Sequence, residues 1–233
     1  MGHRRLIGAW LVTVLVLAAA CVSERERPGP VAGTPASGPP TVTGTPAPAT
    51  PTPTSTPKAT SRPRTAGYVY PVAGRTSYAR THHDYPATDI FAPCGTAVRA
   101  VTDGLVLEVS RVDRWDPATD RGGDRGGLFV SLLGDDGVRY YGAHLRTVRS
   151  GVEGGVRVRH GDPLGTVGDT GRSSACHLHF GVSPPCARTG DWWIRRGVVY
   201  PWSYLDSWRA GGQASPVRTV SAWRADHGCP KAP

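Results

Sequence analysis

Half of the 22 prolines in this chain of 233 residues fall between residues 22 and 65, among Thr, Ala, Gly and Ser. A segment of that composition cannot bury enough apolar surface to offset the entropy of ordering it. It reads as a semi-extended tether, so any fold has to come from the residues after 65. At about 3.1 Å per residue in the polyproline form, such a tether reaches on the order of 100 Å.

The residues before the tether are different again. Arg4 and Arg5 stand before an uncharged run from Leu6 to Ala20, shorter than the ~20 residues a membrane-spanning helix needs. The run closes on Leu17-Ala18-Ala19-Ala20-Cys21, whose small residues read as the cleavage site of an export signal. A cysteine directly after that site resembles a bacterial lipobox, with Ala18 standing where Leu is preferred. Residues 1–20 are therefore expected to be a signal segment of lipoprotein type, Cys21 the lipidated residue, and 21–65 a linker. An ordinary cleaved signal with an incidental cysteine is the plainer alternative. No later apolar run approaches the length of a membrane span.

From Ala66 onward ~170 residues remain, enough for one compact domain; we take it as 66–210 with a C-terminal tail at 211–233. The net charge is +9. Arg4 and Arg5 contribute two positive charges, and the five basic and two acidic residues of 22–65 contribute three more, leaving the domain near +4. That is mildly basic. It suits an anionic wall better than a nucleic acid, for which a concentrated basic stripe is needed. The Arg121-Gly122-Gly123-Asp124-Arg125-Gly126-Gly127 run reads as a solvent loop and not as an RNA-binding repeat.

The domain is divided into short β-rich runs at 98–101, 104–109, 128–133, 138–144, 156–158 and 177–182, with Gly and Asp turn signals between them. Long amphipathic helix patterns are missing, so the expected class is all-β. The aromatic stretch 192–208 is expected to pack across one end as a lid or short helix. Cys94, Cys176, Cys186 and Cys229 remain beside Cys21. Export makes disulfides the expectation, and four cysteines allow three pairings. Pro184-Pro185 could turn the chain back between Cys176 and Cys186, which favours that pair.

Three segments carry chemistry. In His177-Leu178-His179-Phe180, residues two apart on a strand share a face about 6.6–7 Å apart. Both imidazoles can thus line a groove while Leu178 and Phe180 enter the core. In Thr81-His82-His83-Asp84-Tyr85-Pro86-Ala87-Thr88-Asp89, the pre-proline residue is held extended, and the loop can bring one histidine and Asp89 to one point. Tyr140-Tyr141-Gly142-Ala143-His144 closes a strand on a histidine. Each histidine alone would be read as structural. Two imidazoles and one carboxylate together leave a tetrahedral zinc with an open position, the catalytic arrangement. Cys176 faces away from His177 on the strand, so it is not expected to be a ligand.

These segments, with the stretches at 89–106, 140–145 and 161–183, resemble the lysostaphin/LytM-type peptidoglycan zinc metalloendopeptidases, in the family's order and over roughly Gly67 to Ser183. The resemblance implies two antiparallel β-sheets forming a groove with one Zn2+ on its floor. It implies His83, Asp89 and His179 as metal ligands and His144 and His177 as the catalytic pair. It also implies hydrolysis of peptide bonds in stem peptides or crosslinks of bacterial peptidoglycan. The protein would then work outside the cytoplasm as a monomer, lipid-anchored to the outer face of the membrane or secreted into the wall, with peptidoglycan and not nucleic acid as its partner. One departure concerns the first ligand. The family spacing is H-x-x-x-D, whereas His83 lies six residues before Asp89 and His82 seven. The shorter loop favours His83. A catalytically silent relative that binds the wall or activates an amidase is the rival reading, and the intact histidines and Asp89 count against it.

Overall fold

Short runs rich in apolar and β-branched residues, divided by Gly and Asp turn signals, commit the chain to short strands. The computed structural model describes residues 67–233, which fall in one unit. The expected signal segment, the expected lipidation of Cys21 and the expected linker lie outside the described residues. The strands are β1 (Thr88–Phe91), β2 (Ala97–Arg99), β3 (Gly104–Ser110), β4 (Leu128–Gly134), β5 (Arg139–Val148), β6 (Arg157–Val158), β7 (Pro163–Val167) and β8 (His177–Ser183). Three helices come after them, α1 (Trp192–Arg195), α2 (Trp202–Arg209) and α3 (Val217–His227). Among the described residues the class is therefore mainly β, with the helices confined to the C-terminal part.

The main sheet runs β1-β8-β5-β4-β3-β6, and β7 pairs with both β5 and β2. The long strand β5 joins the two arrays. Its first half, Arg139–Ala143, pairs with β8, and its second half, from Leu145, pairs with β7. His144, at the junction, has a positive φ of 60°, a left-handed conformation that is uncommon for a residue with a side chain. The two-sheet groove thus takes the form of two arrays sharing one strand.

Strands β3, β4, β6 and β8 fall where the β-rich runs place them, and β2 overlaps its run. β5 continues to Val148, so His144 does not close that strand but sits inside it, because the chain past it finds a new partner in β7. β1 and β7 lie outside those runs. β7 opens on Pro163 and contains Gly165, both poor strand signals. β1 has four residues and a charge in its middle. Ile90, Leu132, Leu145, Val167, Leu178 and Leu205 are fully buried in one core cluster. The stretch 192–208 contains α1 and most of α2, and Leu205 and Trp208 enter the core. Residues 211–233 carry α3, whose Val220 is also buried in that core. Among the described residues no helix is long and apolar enough to cross a membrane.

The favoured pairing of Cys176 with Cys186 does not form. Cys94 is bonded to Cys176, and Cys186 to Cys229. The reason is strand length. β8 separates Cys176 from Cys186, and seven extended residues span roughly 20 Å, far beyond the ~5.5–6 Å between Cα atoms that a disulfide tolerates. The two prolines turn the chain only after the strand has carried it to the far end.

A buried ion pair anchors the segment beyond that turn. Arg139 is fully buried on β5 and donates through Nη1 to Asp191 at 2.7 Å and through Nη2 to the Ala187 carbonyl. Asp191 also accepts from the Ala187 N–H at 3.0 Å. Asp191→Ala leaves the guanidinium buried and unpaired, so it is expected to cost about 3–5 kcal/mol. Urea denaturation reads this as a lower midpoint with an unchanged slope.

Candidate metal centre

The register of β1 on β8 builds the centre. Asp89 lies directly opposite His179, and Phe91 opposite His177. Opposed residues share a face, so Asp89, His177 and His179 project together. Ile90 and Leu178, also opposed, fill the core on the other side. His144 joins from β5, where Ala143 is paired with His179, and the left-handed backbone at the bulge turns its ring toward His177. The two ring centroids are 4.7 Å apart. The loop before β1 brings His82, whose ring lies 5.0 Å from that of His179.

Four imidazoles are held by backbone carbonyls. His82 Nδ1 donates to Tyr85 O at 3.1 Å, His144 Nδ1 to Thr170 O at 2.7 Å, and His177 Nδ1 to Ala175 O at 2.7 Å. His179 is held the other way round, with Nε2 donating to Arg196 O at 2.8 Å. A carbonyl can only accept, so each contact fixes the tautomer and leaves the other nitrogen with its lone pair. For three rings those nitrogens converge on one atom. Asp89 Oδ1 lies 3.1 Å from His179 Nδ1, 3.5 Å from His82 Nε2 and 3.6 Å from His177 Nε2. Lone pairs facing a carboxylate oxygen need positive charge among them. This donor set fits a divalent cation that takes imidazole and carboxylate ligands with ring nitrogens oriented from behind.

The electrostatics agree. Burial by itself raises the pKa of the Asp89 carboxyl, but positive charge among the rings facing it, here a proton taken up by His179, His82 or His177 in the place a cation would fill, outweighs that. The carboxyl is held below the usual carboxylate range. Burial, helped by His179 and His177, pushes His144 down to about 3, so this ring is neutral across ordinary pH.

His83 differs from its neighbour. It is exposed, whereas His82 is 7% exposed, although both offer nitrogens within 4.8 Å of each other and of Asp89. Cys94, Asp169 and Cys176 form a second close group, but both sulfurs are committed to a disulfide. The five residues singled out from sequence, His83, Asp89, His144, His177 and His179, all line one open cleft of about 650 Å³. Sequence reasoning missed the carbonyls that orient the rings, which carry no side-chain signal. It also missed Arg196, which lay in a stretch noticed only for its aromatic residues. Gly181 on β8 makes the Arg196 contact possible, because a Cβ there would collide with the Arg196 carbonyl oxygen.

Residues 83–189 match the model for Peptidase family M23. The chain is 40% identical to the glycyl-glycine endopeptidase ALE-1 of Staphylococcus capitis over 93 residues, 40% of this chain and 22% of that protein. It is 31% identical to the peptidoglycan DD-endopeptidase ShyC of Vibrio cholerae over 112 residues, 48% of this chain and 22% of that protein. The match therefore spans about a fifth of the length of either relative. Among solved structures, the catalytic domain of lysostaphin from Staphylococcus simulans is 26% identical at a TM-score of 0.41, covering 61% of this chain and 92% of that one.

The carbonyl contacts predict an uneven set of tautomers. At a pH where the rings are neutral and no metal is bound, two-bond 15N–1H spectra should show His82, His144 and His177 protonated on Nδ1. His179 should be protonated on Nε2.

Proposed function

We propose, from the premise that residues 83–189 are a peptidase family M23 domain of the lysostaphin/LytM type, that this protein is a zinc-dependent metalloendopeptidase of bacterial peptidoglycan. It would cut peptide bonds in stem peptides or crosslinks. The observation that carries the reading is the convergence of three lone-pair nitrogens on Asp89 Oδ1, each ring oriented from behind by a backbone carbonyl. His144, beside them, is likewise anchored.

The ligands we propose are His82 Nε2, an Asp89 carboxylate oxygen and His179 Nδ1. Spacing alone favours His83 over His82. What supports His82 is its burial, its Nδ1–H bond to Tyr85 and its 3.5 Å approach to Asp89. His83 is then an exposed neighbour whose ring stands edge-on to that of His82. Zinc held by two imidazoles and a carboxylate supplies a Lewis acid for a peptide carbonyl and makes water nucleophilic near neutral pH.

The chain's own groups would handle the proton. His144 and His177 keep Nδ1–H on carbonyls and leave Nε2 bare. One accepts the proton of the attacking water there and returns it to the leaving amine. A ring protonated at Nε2 also becomes a donor to the oxygen that gains charge in the tetrahedral state. The Cys94–Cys176 bond ties the residue next to His177 to the loop after β1. Two disulfides suit the oxidising side of the membrane, in keeping with work in the cell wall. Intact His144 and His177 weigh against a catalytically silent wall-binding role.

His82→Ala is expected to lose stoichiometric zinc, measured by mass spectrometry of the purified domain, whereas His83→Ala keeps it; the reverse result would make His83 the ligand. His177→Ala and His144→Ala should retain zinc and fold, yet digest purified peptidoglycan roughly 10²–10⁴-fold more slowly. Turnover equal to wild type in His177→Ala would remove its assigned role.

A further inference from the structure

Among the arginines lining the cleft, three stand against carboxylates, two of them sharing one. Arg125 pairs with Asp120 at 2.7 Å, Arg172 reaches the same carboxylate at 3.7 Å, and Arg195 pairs with Glu108. Arg196 has no ion pair and no side-chain hydrogen bond among the described residues, and its Nε is buried without a partner. Its guanidinium is held instead by rings, 3.9 Å from the centroid of Tyr85 and 5.3 Å from that of Trp192. Stacking of this kind fixes the plane of an arginine while leaving its donor edge free. Trp192 is itself fixed against the 121–123 loop, where a Cβ on Gly122 would collide with its ring.

The position of this cation matters as much as its freedom. Tyr85, on which Arg196 stacks, lies 5.9 Å from His179 between ring centroids. The guanidinium is therefore within roughly three residues of extended chain from the imidazole cluster. An unpaired guanidinium in a cleft is most stable with a planar anion that accepts two of its N–H groups. We propose that Arg196 is a specificity-determining residue that binds a free carboxylate of the substrate peptide close to the scissile bond. The preferred substrate is then an acidic stem-peptide crosslink and not an uncharged one. This rests on the peptidase reading of the cleft.

Binding and turnover separate the two ideas. The ligands are a stem-peptide dimer with its diamino-acid carboxyl free and the same dimer with that carboxyl amidated. Affinities are measured by calorimetry on the zinc-loaded His177→Ala protein, so no cleavage is needed. The free acid is expected to bind about 10-fold more tightly than the amide, as one charge-assisted contact gives. Adding Arg196→Gln should bring that ratio near one, and Arg196→Lys should restore part of it by returning the charge. Equal affinity for both ligands in His177→Ala overturns the proposal. So does an unchanged ratio after Arg196→Gln, or equal weakening of both ligands with no rescue by lysine, which would make the side chain structural. Wild-type protein that cleaves neither dimer while His177→Ala keeps the binding ratio would remove the peptidase reading and leave the carboxylate site standing.

Discussion

The pairing of Asp89 with His179 across β1 and β8 is the contact on which the cleft depends. Side chains alternate along a strand, so a slip of one residue would send Asp89 into the core and bring Ile90 to the cleft. The register is held on the opposite face, where Ile90 and Leu178 are buried against each other in the main cluster. Hydrophobic packing on one side of β8 therefore sets where a carboxylate and two imidazoles stand on the other. β8 can do this because it lies between β1 and β5, with partners on both edges.

Alignment of strands brings the rings together but does not orient them. Orientation comes from four carbonyls on separate stretches of loop: Tyr85 before β1, Thr170 and Ala175 before β8, and Arg196 after α1. The arrangement carries local costs. His144 adopts a left-handed backbone, and position 181 has to be glycine-sized for the Arg196 carbonyl to approach. Such costs are usual where a site must be organised before its ligand arrives. The carboxylate and the ring nitrogens then face one another at distances set by the scaffold.

The C-terminal part serves the cleft from behind. Arg139 and Asp191, both buried, pin the chain as it leaves the turn after β8. The Cys186–Cys229 bond ties that turn to the end of α3. Between these fixed points runs α1, which presents Trp192 and Arg195 to the cleft. The residue after it supplies both the carbonyl for His179 and the free guanidinium of Arg196. The aromatic stretch 192–208 is thereby coupled to the position of His179, one of the rings that face Asp89.

The sequence by itself determined the strand-rich class and most strands, because β-rich runs and turn chemistry are local. It also picked out the residue types at the cleft, since His-x-His on a strand places two rings on one face wherever the strand lies. Tertiary structure alone decided three things. It decided the pairing of β1 and β7, whose short runs with a charge, a proline and a glycine carry little local signal. It decided the cysteine partners, because the length of β8 outweighs the turn at Pro184-Pro185. It also set His82 and His83 apart: adjacent residues in a loop share composition and spacing, and only the packing around them buries one and exposes the other. Local pattern specifies which groups are available, whereas distance and orientation between segments remote in the chain are fixed only when the core closes.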